Sequence, residues 1–235
     1  MAVTNRRGIF SLLDVRERQG TGVWPTKEDV WNIPSPFIKA HPFGYFGGGS
    51  PGQVATVDRI DYSCDTSNAS PKGSLSVPRS SLAATGNSNF SYFGGGRDPN
   101  TTATVERIDY SSDTATAAIK GPLSIARYNL AATGNSNFGY FGGGSPIKST
   151  VDRIDYSNDT PDASPKGPLS FPRYYLAATG NADFGYFGGG SPGPKSTVDR
   201  IDYSNDTPNA SPKGPLSSVR YRLAATSAAA NGLPQ

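Results

Sequence analysis

Short stretches in which apolar and polar side chains alternate recur along most of the chain. Residues 57–62, Val-Asp-Arg-Ile-Asp-Tyr, are β-branched and aromatic, and they alternate with the period of two that is typical of a half-buried strand. Clusters of Ser, Asn, Asp, Thr, Gly and Pro separate such stretches, and these residues favour turns. The pattern predicts many short strands joined by turns.

Three strings recur in a fixed order at intervals of 46 to 48 residues. Phe-x-Tyr-Phe-Gly-Gly-Gly begins at Phe43, Phe90, Phe138 and Phe184. Val-Asp/Glu-Arg-Ile-Asp-Tyr begins at Val57, Val105, Val151 and Val198. Lys-Gly-Pro/Ser-Leu-Ser follows at Lys72, Lys120, Lys166 and Lys213, and after it come an arginine (Arg79, Arg127, Arg173, Arg220) and Leu-Ala-Ala-Thr (from Leu82, Leu130, Leu176, Leu223). Four strand candidates in about 47 residues predict a four-stranded propeller blade.

The order of these strings over residues 43–226 resembles the kelch repeat of β-propellers. An arginine precedes a small-residue strand, an aromatic strand that ends in glycines, a Val-x-x-x-Asp-Tyr strand and a last short strand. The tryptophan usual late in a kelch repeat is missing, and four leucines lie near its place: Leu75, Leu123, Leu169 and Leu216. The sequence Tyr-Phe-Gly-Gly-Gly, followed by Val-Asp-Arg-Ile-Asp-Tyr-Ser-Asn-Asp-Thr, is also similar to repeats in virion proteins of marine tailed phages.

The phage resemblance implies a structural or adhesion protein of a virion, in a tail appendage, a fibre or a decoration. Its expected partners are other virion proteins, further copies of itself and a glycan of the host surface. The kelch resemblance leaves two alternatives open, which are a cellular protein-binding scaffold and a propeller enzyme such as a glycosidase.

The two ends of the repeat array predict how the array closes. The array begins at the aromatic strand of a unit and ends after a small-residue strand, residues 223–226, that has no partner of its own. Residues 223–226 and 43–76 are therefore expected to form one composite blade beside continuous blades at about 82–124, 130–170 and 176–217. The predicted fold is an all-β, four-repeat, kelch-like β-propeller with velcro closure. If four blades do not close within one chain, the free edges are expected to pair with other chains.

Residues 1–42 form a predicted N-terminal extension, and residues 227–235 form a predicted tail. Ser11 is placed to cap a short helix over residues 12–19 that ends at Gly20. Its apolar side and the two tryptophans that follow are candidates for an assembly interface: Leu12, Leu13, Val15, Trp24 and Trp31. Aromatic anchors dominate many interfaces, which favours assembly, while a lid on the propeller is the alternative interpretation.

Composition and charge argue against several other classes of protein. The 28 Gly and 20 Pro among 235 residues argue against a helical bundle, and a net charge of +3 lacks the dense basic clustering of nucleic-acid binding. No run reaches the length of a membrane helix, and the apolar stretch after Arg7 is too short for an export signal. Cys64 and His41 are the only residues of their kinds, too few for ordinary zinc sites. We therefore expect no enzyme, cofactor, metal, nucleic acid or membrane insertion.

Each Val-Asp/Glu-Arg-Ile-Asp-Tyr string places an arginine and an aspartate two residues apart on one face of a strand. Because the pair recurs in every unit, it is interpreted as a structural ion pair that joins adjacent blades or turns. The pairs are Arg59/Asp61, Arg107/Asp109, Arg153/Asp155 and Arg200/Asp202. The opposite face carries Asp58, Glu106, Asp152 and Asp199. These four carboxylates are interpreted either as solvated or as a ring on a central axis that attracts Ca²⁺.

Overall fold

The computed structural model describes residues 43–227. The predicted N-terminal helix, the candidate assembly residues Leu12, Leu13, Val15, Trp24 and Trp31, and nearly all of the predicted tail lie outside the described residues. Within residues 43–227 the chain forms short strands and one turn of 3₁₀-helix, Tyr110–Ser112, and no α-helix, so the prediction of an all-β fold is confirmed. None of the helical structure there has the length and apolar character that crossing a membrane requires.

Four antiparallel sheets follow one another along the chain in a propeller-like arrangement. Sheet 1 contains β1 (Phe43–Gly47), β2 (Val57–Asp61) and β3 (Ser70–Pro71). Sheet 2 contains β4 (Ala83–Gly86), β5 (Phe90–Gly94), β8 (Val105–Asp109) and β9 (Ala118–Lys120), with a hairpin of β6 (Arg97–Asp98) and β7 (Asn100–Thr101) between β5 and β8. Sheet 3 contains β10 (Ala131–Gly134), β11 (Phe138–Gly142), β12 (Val151–Asp155) and β13 (Ser164–Lys166). Sheet 4 contains β14 (Ala177–Gly180), β15 (Phe184–Gly188), β16 (Val198–Asp202) and β17 (Ser211–Lys213).

The aromatic strands of sheets 2 and 3 each send side chains to two different neighbouring sheets. In sheet 3, Phe141 and Tyr140 are adjacent on β11 and so point to opposite faces. The Phe141 ring packs against Gly94 of sheet 2, whereas the Tyr140 ring stacks on Tyr203 of sheet 4 with centroids 4.7 Å apart. Both rings are fully buried, so this alternation places the apolar core between the sheets.

The last two glycines of each triplet have positive φ values. In sheet 3, Gly143 and Gly144 have φ values of +68° and +120°, which L side chains rarely adopt. The corresponding glycines of the other three sheets also have positive φ. The triplet therefore ends each aromatic strand in a turn that other residues would strain.

The outermost strand differs from the prediction. In sheets 3 and 4 it falls on Ser-Pro-Lys, of which only the lysine belongs to the string that the sequence predicts as a strand. Proline is tolerated there because an edge strand does not need every N–H for pairing. The Lys-Gly-Pro-Leu-Ser string mostly lies beyond the strand, and its leucines Leu75, Leu123 and Leu169 are buried in the core.

The predicted composite blade is not formed in this structure. Sheet 1 has three strands, in which β1 pairs only with β2, and residues 223–226 form no strand. They lie beside β14 instead, where the Thr226 carbonyl accepts a hydrogen bond from Thr179 Oγ1 at 2.9 Å. The first strands of successive sheets lie side by side, β4 beside β10 and β10 beside β14. Residues 223–226 therefore lie where the first strand of a following sheet would lie. The structure therefore does not show the predicted closure within one chain, since no hydrogen bond or β-bridge joins residues 223–226 to β1.

Candidate functional site

A buried arginine joins each sheet to the one that follows. Arg127 lies between β9 and β10, and its backbone N–H donates to the Thr102 carbonyl of sheet 2 at 3.2 Å. Its Nη2 lies 2.9 Å from Asp152 Oδ2 on β12 and donates to the Phe141 carbonyl of sheet 3 at 3.0 Å. Ser124 Oγ also donates to Asp152, at 2.7 Å. We call this arrangement the buried pair.

The buried pair recurs at the other two interfaces. Arg79 lies 2.7 Å from Glu106, and Arg173 lies 3.0 Å from Asp199. All six side chains of the three pairs are essentially inaccessible to solvent. Burial lowers the pKa of each arginine and the neighbouring carboxylate opposes that shift. These are charges that the fold holds in place by pairing them.

Both interpretations of the opposite-face carboxylates are therefore wrong for Glu106, Asp152 and Asp199. Each of the three is buried and paired with the arginine that precedes the first strand of its sheet, so none is solvated and none lies in a ring of carboxylates. Within residues 43–227 no group of three or more His, Cys, Asp or Glu side chains is arranged to hold a metal ion. The sequence contained the signal, since every unit carries one such arginine and one such carboxylate.

A second cluster surrounds an aspartate in the turn after β12. Asp159 accepts a hydrogen bond from Tyr92 Oη at 2.8 Å and from Arg107 Nη1 at 2.7 Å, both from sheet 2. Lys120 Nζ lies 3.1 Å away from the same carboxylate. The Tyr92 ring stacks on Tyr156 with centroids 4.7 Å apart. We call this arrangement the turn cluster.

The turn cluster also recurs at each interface. Asp113 receives Tyr45 and Arg59 from sheet 1, and Asp206 receives Tyr140 and Arg153 from sheet 3. Lys72 and Lys166 complete these two clusters at 3.7 and 3.5 Å. The sequence pattern did not identify the three aspartates as partners, although each recurs at the same place in its turn.

Electrostatics keep the tyrosine of the turn cluster neutral and its aspartate ionised. Burial raises the pKa of Tyr92, and its hydrogen bond to Asp159 raises it further. Burial also acts to raise the pKa of Asp159, but hydrogen bonds from Tyr92 and Lys120 and the charges of Arg107 and Lys120 lower it overall. The hydroxyl thus donates to a carboxylate, as a structural contact requires.

The predicted pairs within one strand are not the pairs that the structure forms. Arg153 reaches Asp206 at 2.8 Å, while Asp155 accepts hydrogen bonds from the Ser157 N–H and Oγ at 2.9 and 2.6 Å. Arg59 and Arg107 likewise reach the next sheet, and the aspartates Asp61, Asp109 and Asp202 cap their own turns. Three of the four arginines thus join adjacent sheets as expected, with different partners. Arg200 packs over the Phe184 ring at 4.3 Å.

The different partners follow from where each aspartate lies. Asp155 ends its strand, so the N–H groups of the following turn are the donors closest to it. The turn hydrogen bonds are the main cause that lowers the pKa of Asp61 and Asp202, and the arginine on the same strand contributes less.

Comparisons of this chain with models of protein families and with curated proteins give no match. The class that the structure defines is therefore one of architecture. It is an all-β array of consecutive antiparallel sheets, in which the same two charged clusters and the same aromatic contacts join each sheet to the next.

Proposed function

We propose that this chain is a non-enzymatic structural or adhesion protein of a tailed-phage virion, where it acts through contacts with other proteins or with the host surface. In this proposal its repeats form a kelch-like propeller. The observation that carries it is the use of the charged side chains. Arginines, aspartates and tyrosines that would be candidates for chemistry are engaged at every sheet interface in holding one sheet to the next.

Repetition separates this proposal from a propeller enzyme. An active site needs individual residues with pKa values matched to different roles. Here the pKa shifts have the same direction in each unit. The pKa values of Tyr45, Tyr92 and Tyr140 are all raised, and those of the three buried arginines are all lowered. Equivalent residues with the same pKa shifts in each unit favour a scaffold or a multivalent binding protein over an enzyme.

The described residues offer a repeated surface for such binding. Val77, Ile125 and Phe171 occupy the same place in three units, two residues before the buried arginine, and they are 43, 38 and 57% exposed. Exposed apolar side chains at regular spacing suit several weak contacts with one partner, and linked contacts gain strength together. The virion assignment itself is supported by the resemblance of the repeat sequence to repeats in phage virion proteins.

The location of the protein tests this proposal. An antibody against the chain should detect it in particles purified on a density gradient from the culture that produces it, at constant stoichiometry across the particle peak. Unrelated soluble protein from the same lysate is the control. Detection only in fractions with cellular proteins would favour the kelch-type cellular scaffold, and turnover of a substrate by the purified chain would favour an enzyme.

A further inference from the structure

The contacts between sheets have a direction that is the same at all three interfaces. Each sheet has a forward face, which supplies the tyrosine, arginine and lysine of the turn cluster and the buried arginine that follows. The sheet that follows it along the chain has a receiving face, which supplies an aromatic ring, the carboxylate of the buried pair and the turn aspartate. One forward face and one receiving face have no partner sheet among the described residues.

The unpartnered receiving face belongs to sheet 1. Phe46 is 63% exposed, whereas its counterparts Phe93, Phe141 and Phe187 are buried. Tyr62, whose counterpart Tyr156 is buried, is 66% exposed. Within residues 43–227, the two aspartates at the positions of Asp152 and Asp159, namely Asp58 and Asp65, form no ion pair.

The unpartnered forward face belongs to sheet 4. Arg200, Lys213 and Arg220 have no carboxylate partner among the described residues. The backbone of Arg220 is nonetheless in place, since its N–H donates to Lys195 and its carbonyl accepts from Gly190, as at the earlier arginines. A Cβ on Gly214 would meet open space, whereas on Gly167 it would collide with the Pro208 carbonyl of the next sheet.

The two faces are complementary group by group. By analogy with the three formed interfaces, Arg220 matches Asp58, and Arg200 and Lys213 match Asp65. Gly188 matches the Phe46 ring, as Gly142 matches Phe187. Residues 224–227 would pair with β1 in the register of Ala131 to Gly134 with β11, which would complete sheet 1 with the fourth strand it lacks.

One chain does not bring its own two faces together. At the three interfaces the turn arginine lies 2.7, 2.7 and 2.8 Å from its aspartate, so each step from one sheet to the next uses the same contact. After three such steps no hydrogen bond, ion pair or β-bridge joins sheet 1 to residues 184–227. Closure within the chain would have to change interfaces that are densely packed.

We propose that the forward face of sheet 4 binds the receiving face of sheet 1 in a second copy of this chain, with residues 224–227 of one copy completing sheet 1 of the other. Such a head-to-tail interface is heterologous, so it builds rings or filaments according to the angle between copies. The free edge of β1 supplies the template for pairing. The proposal goes beyond the proposed function and does not depend on the virion assignment.

A side chain at Gly214 tests the interface. In the full 235-residue chain, Gly214→Val should leave circular dichroism and the melting temperature of the monomer unchanged, because nothing lies near that position. Light scattering should give a mass at least twice the 24.7 kDa of the chain for wild type and 24.7 kDa for the variant. The matched control is Ser218→Val, whose counterparts Val77, Ile125 and Phe171 are exposed, and it should associate as wild type does.

Three outcomes of this experiment would overturn the proposal. A wild-type chain of 24.7 kDa at all concentrations would mean that the faces do not bind another copy. An unchanged oligomer in Gly214→Val would place the association on another surface. A Gly214→Val chain that is unfolded or melts lower as a monomer would show that the two faces meet within one chain.

Charge reversal distinguishes pairing between copies from pairing within one. Asp65→Arg and Arg200→Glu should each weaken association by at least about tenfold, because like charges then face each other. An equimolar mixture of the two variants should associate as wild type, since the glutamate introduced in one variant meets the arginine introduced in the other. A mixture that stays monomeric, while the double variant in one chain has wild-type stability, would contradict the proposal.

Discussion

At the scale of single residues, the energetic role of each charged group depends on the partner that it binds. Asp152 is buried and bound by Arg127 from the preceding connection, while Asp155, three residues later, accepts hydrogen bonds within its own turn. The two carboxylates lie in one strand and have different energetic roles. Removing the first leaves a buried cation, and removing the second leaves turn donors that water can solvate.

We expect Asp152→Ala to lower the free energy of unfolding by about 3 to 5 kcal/mol, because it leaves the Arg127 guanidinium buried without a counter-charge. Arg127→Met combined with Asp152→Leu should lose less than the single variant, since both charges are then gone. Urea unfolding measures both, with Asp155→Ala as the control expected to lose less. A single-variant loss below about 1 kcal/mol would mean that water reaches the pair.

Alkaline pH should destabilise the fold through its buried tyrosines. Burial raises the pKa of Tyr203 to about 12, although a hydrogen bond with Thr133 acts to lower it. In the unfolded chain a tyrosine ionises near pH 10, so the free energy of unfolding is unaffected below about pH 10 and falls as the pH rises to about 12. The slope over this range, measured by urea unfolding, should be smaller in Tyr203→Phe and unchanged in Tyr221→Phe, an exposed control. Equal slopes in all three proteins would contradict the assignment.

At the scale of elements, the aromatic strand of sheet 2 or of sheet 3 connects three sheets. On β11, Phe141 fills the space above Gly94 of sheet 2, and Tyr140 donates to Asp206 of sheet 4 at 2.9 Å. Glycine opposite each phenylalanine is required by space, because a Cβ on Gly94 would lie 2.6 Å from a ring carbon of Phe141. The sheets therefore pack ring against backbone.

Replacing the ring at a formed interface should cost far more than replacing it at the unpartnered face. We expect Phe141→Ala to lower the free energy of unfolding by about 3 to 5 kcal/mol, as for other buried phenylalanines. Phe46→Ala should change it by no more than about 0.5 kcal/mol in dilute solution, because that ring is mostly exposed. Urea unfolding of both variants at one low protein concentration checks the contrast. Equal losses would mean that Phe46 is covered within its own chain.

At the scale of the molecule, the described residues form a linear series of interfaces between neighbours. Sheet 1 contacts sheet 2, sheet 2 contacts sheet 3, and sheet 3 contacts sheet 4, each through the same clusters. Stability in such arrays is close to a sum of units and of nearest-neighbour interfaces.

Removing sheet 4 tests this additivity. Deletion of residues 172–235 should leave a chain that still unfolds cooperatively, with a lower free energy of unfolding because one interface is lost. Circular dichroism during urea unfolding measures both properties. A deletion chain with no cooperative transition would indicate that sheet 4 also supports sheet 1.

Local features of this protein could be read from its sequence. Alternation and turn residues predicted the strands, because strand and turn preferences depend on backbone sterics within a few residues. The three continuous sheets followed from the repeat itself. The outermost strand was misplaced because proline signals a turn unless an edge position makes its missing N–H harmless.

Only the tertiary structure decided which groups meet. Arg153 binds Asp206, 53 positions away, instead of Asp155 on its own strand, because the stacking of sheet 4 on sheet 3 presents that carboxylate at 2.8 Å. Whether the two ends of the array meet was equally beyond the sequence. That outcome depends on the angle between successive sheets, which is set by the summed packing of rings, glycines and buried pairs and by no single residue.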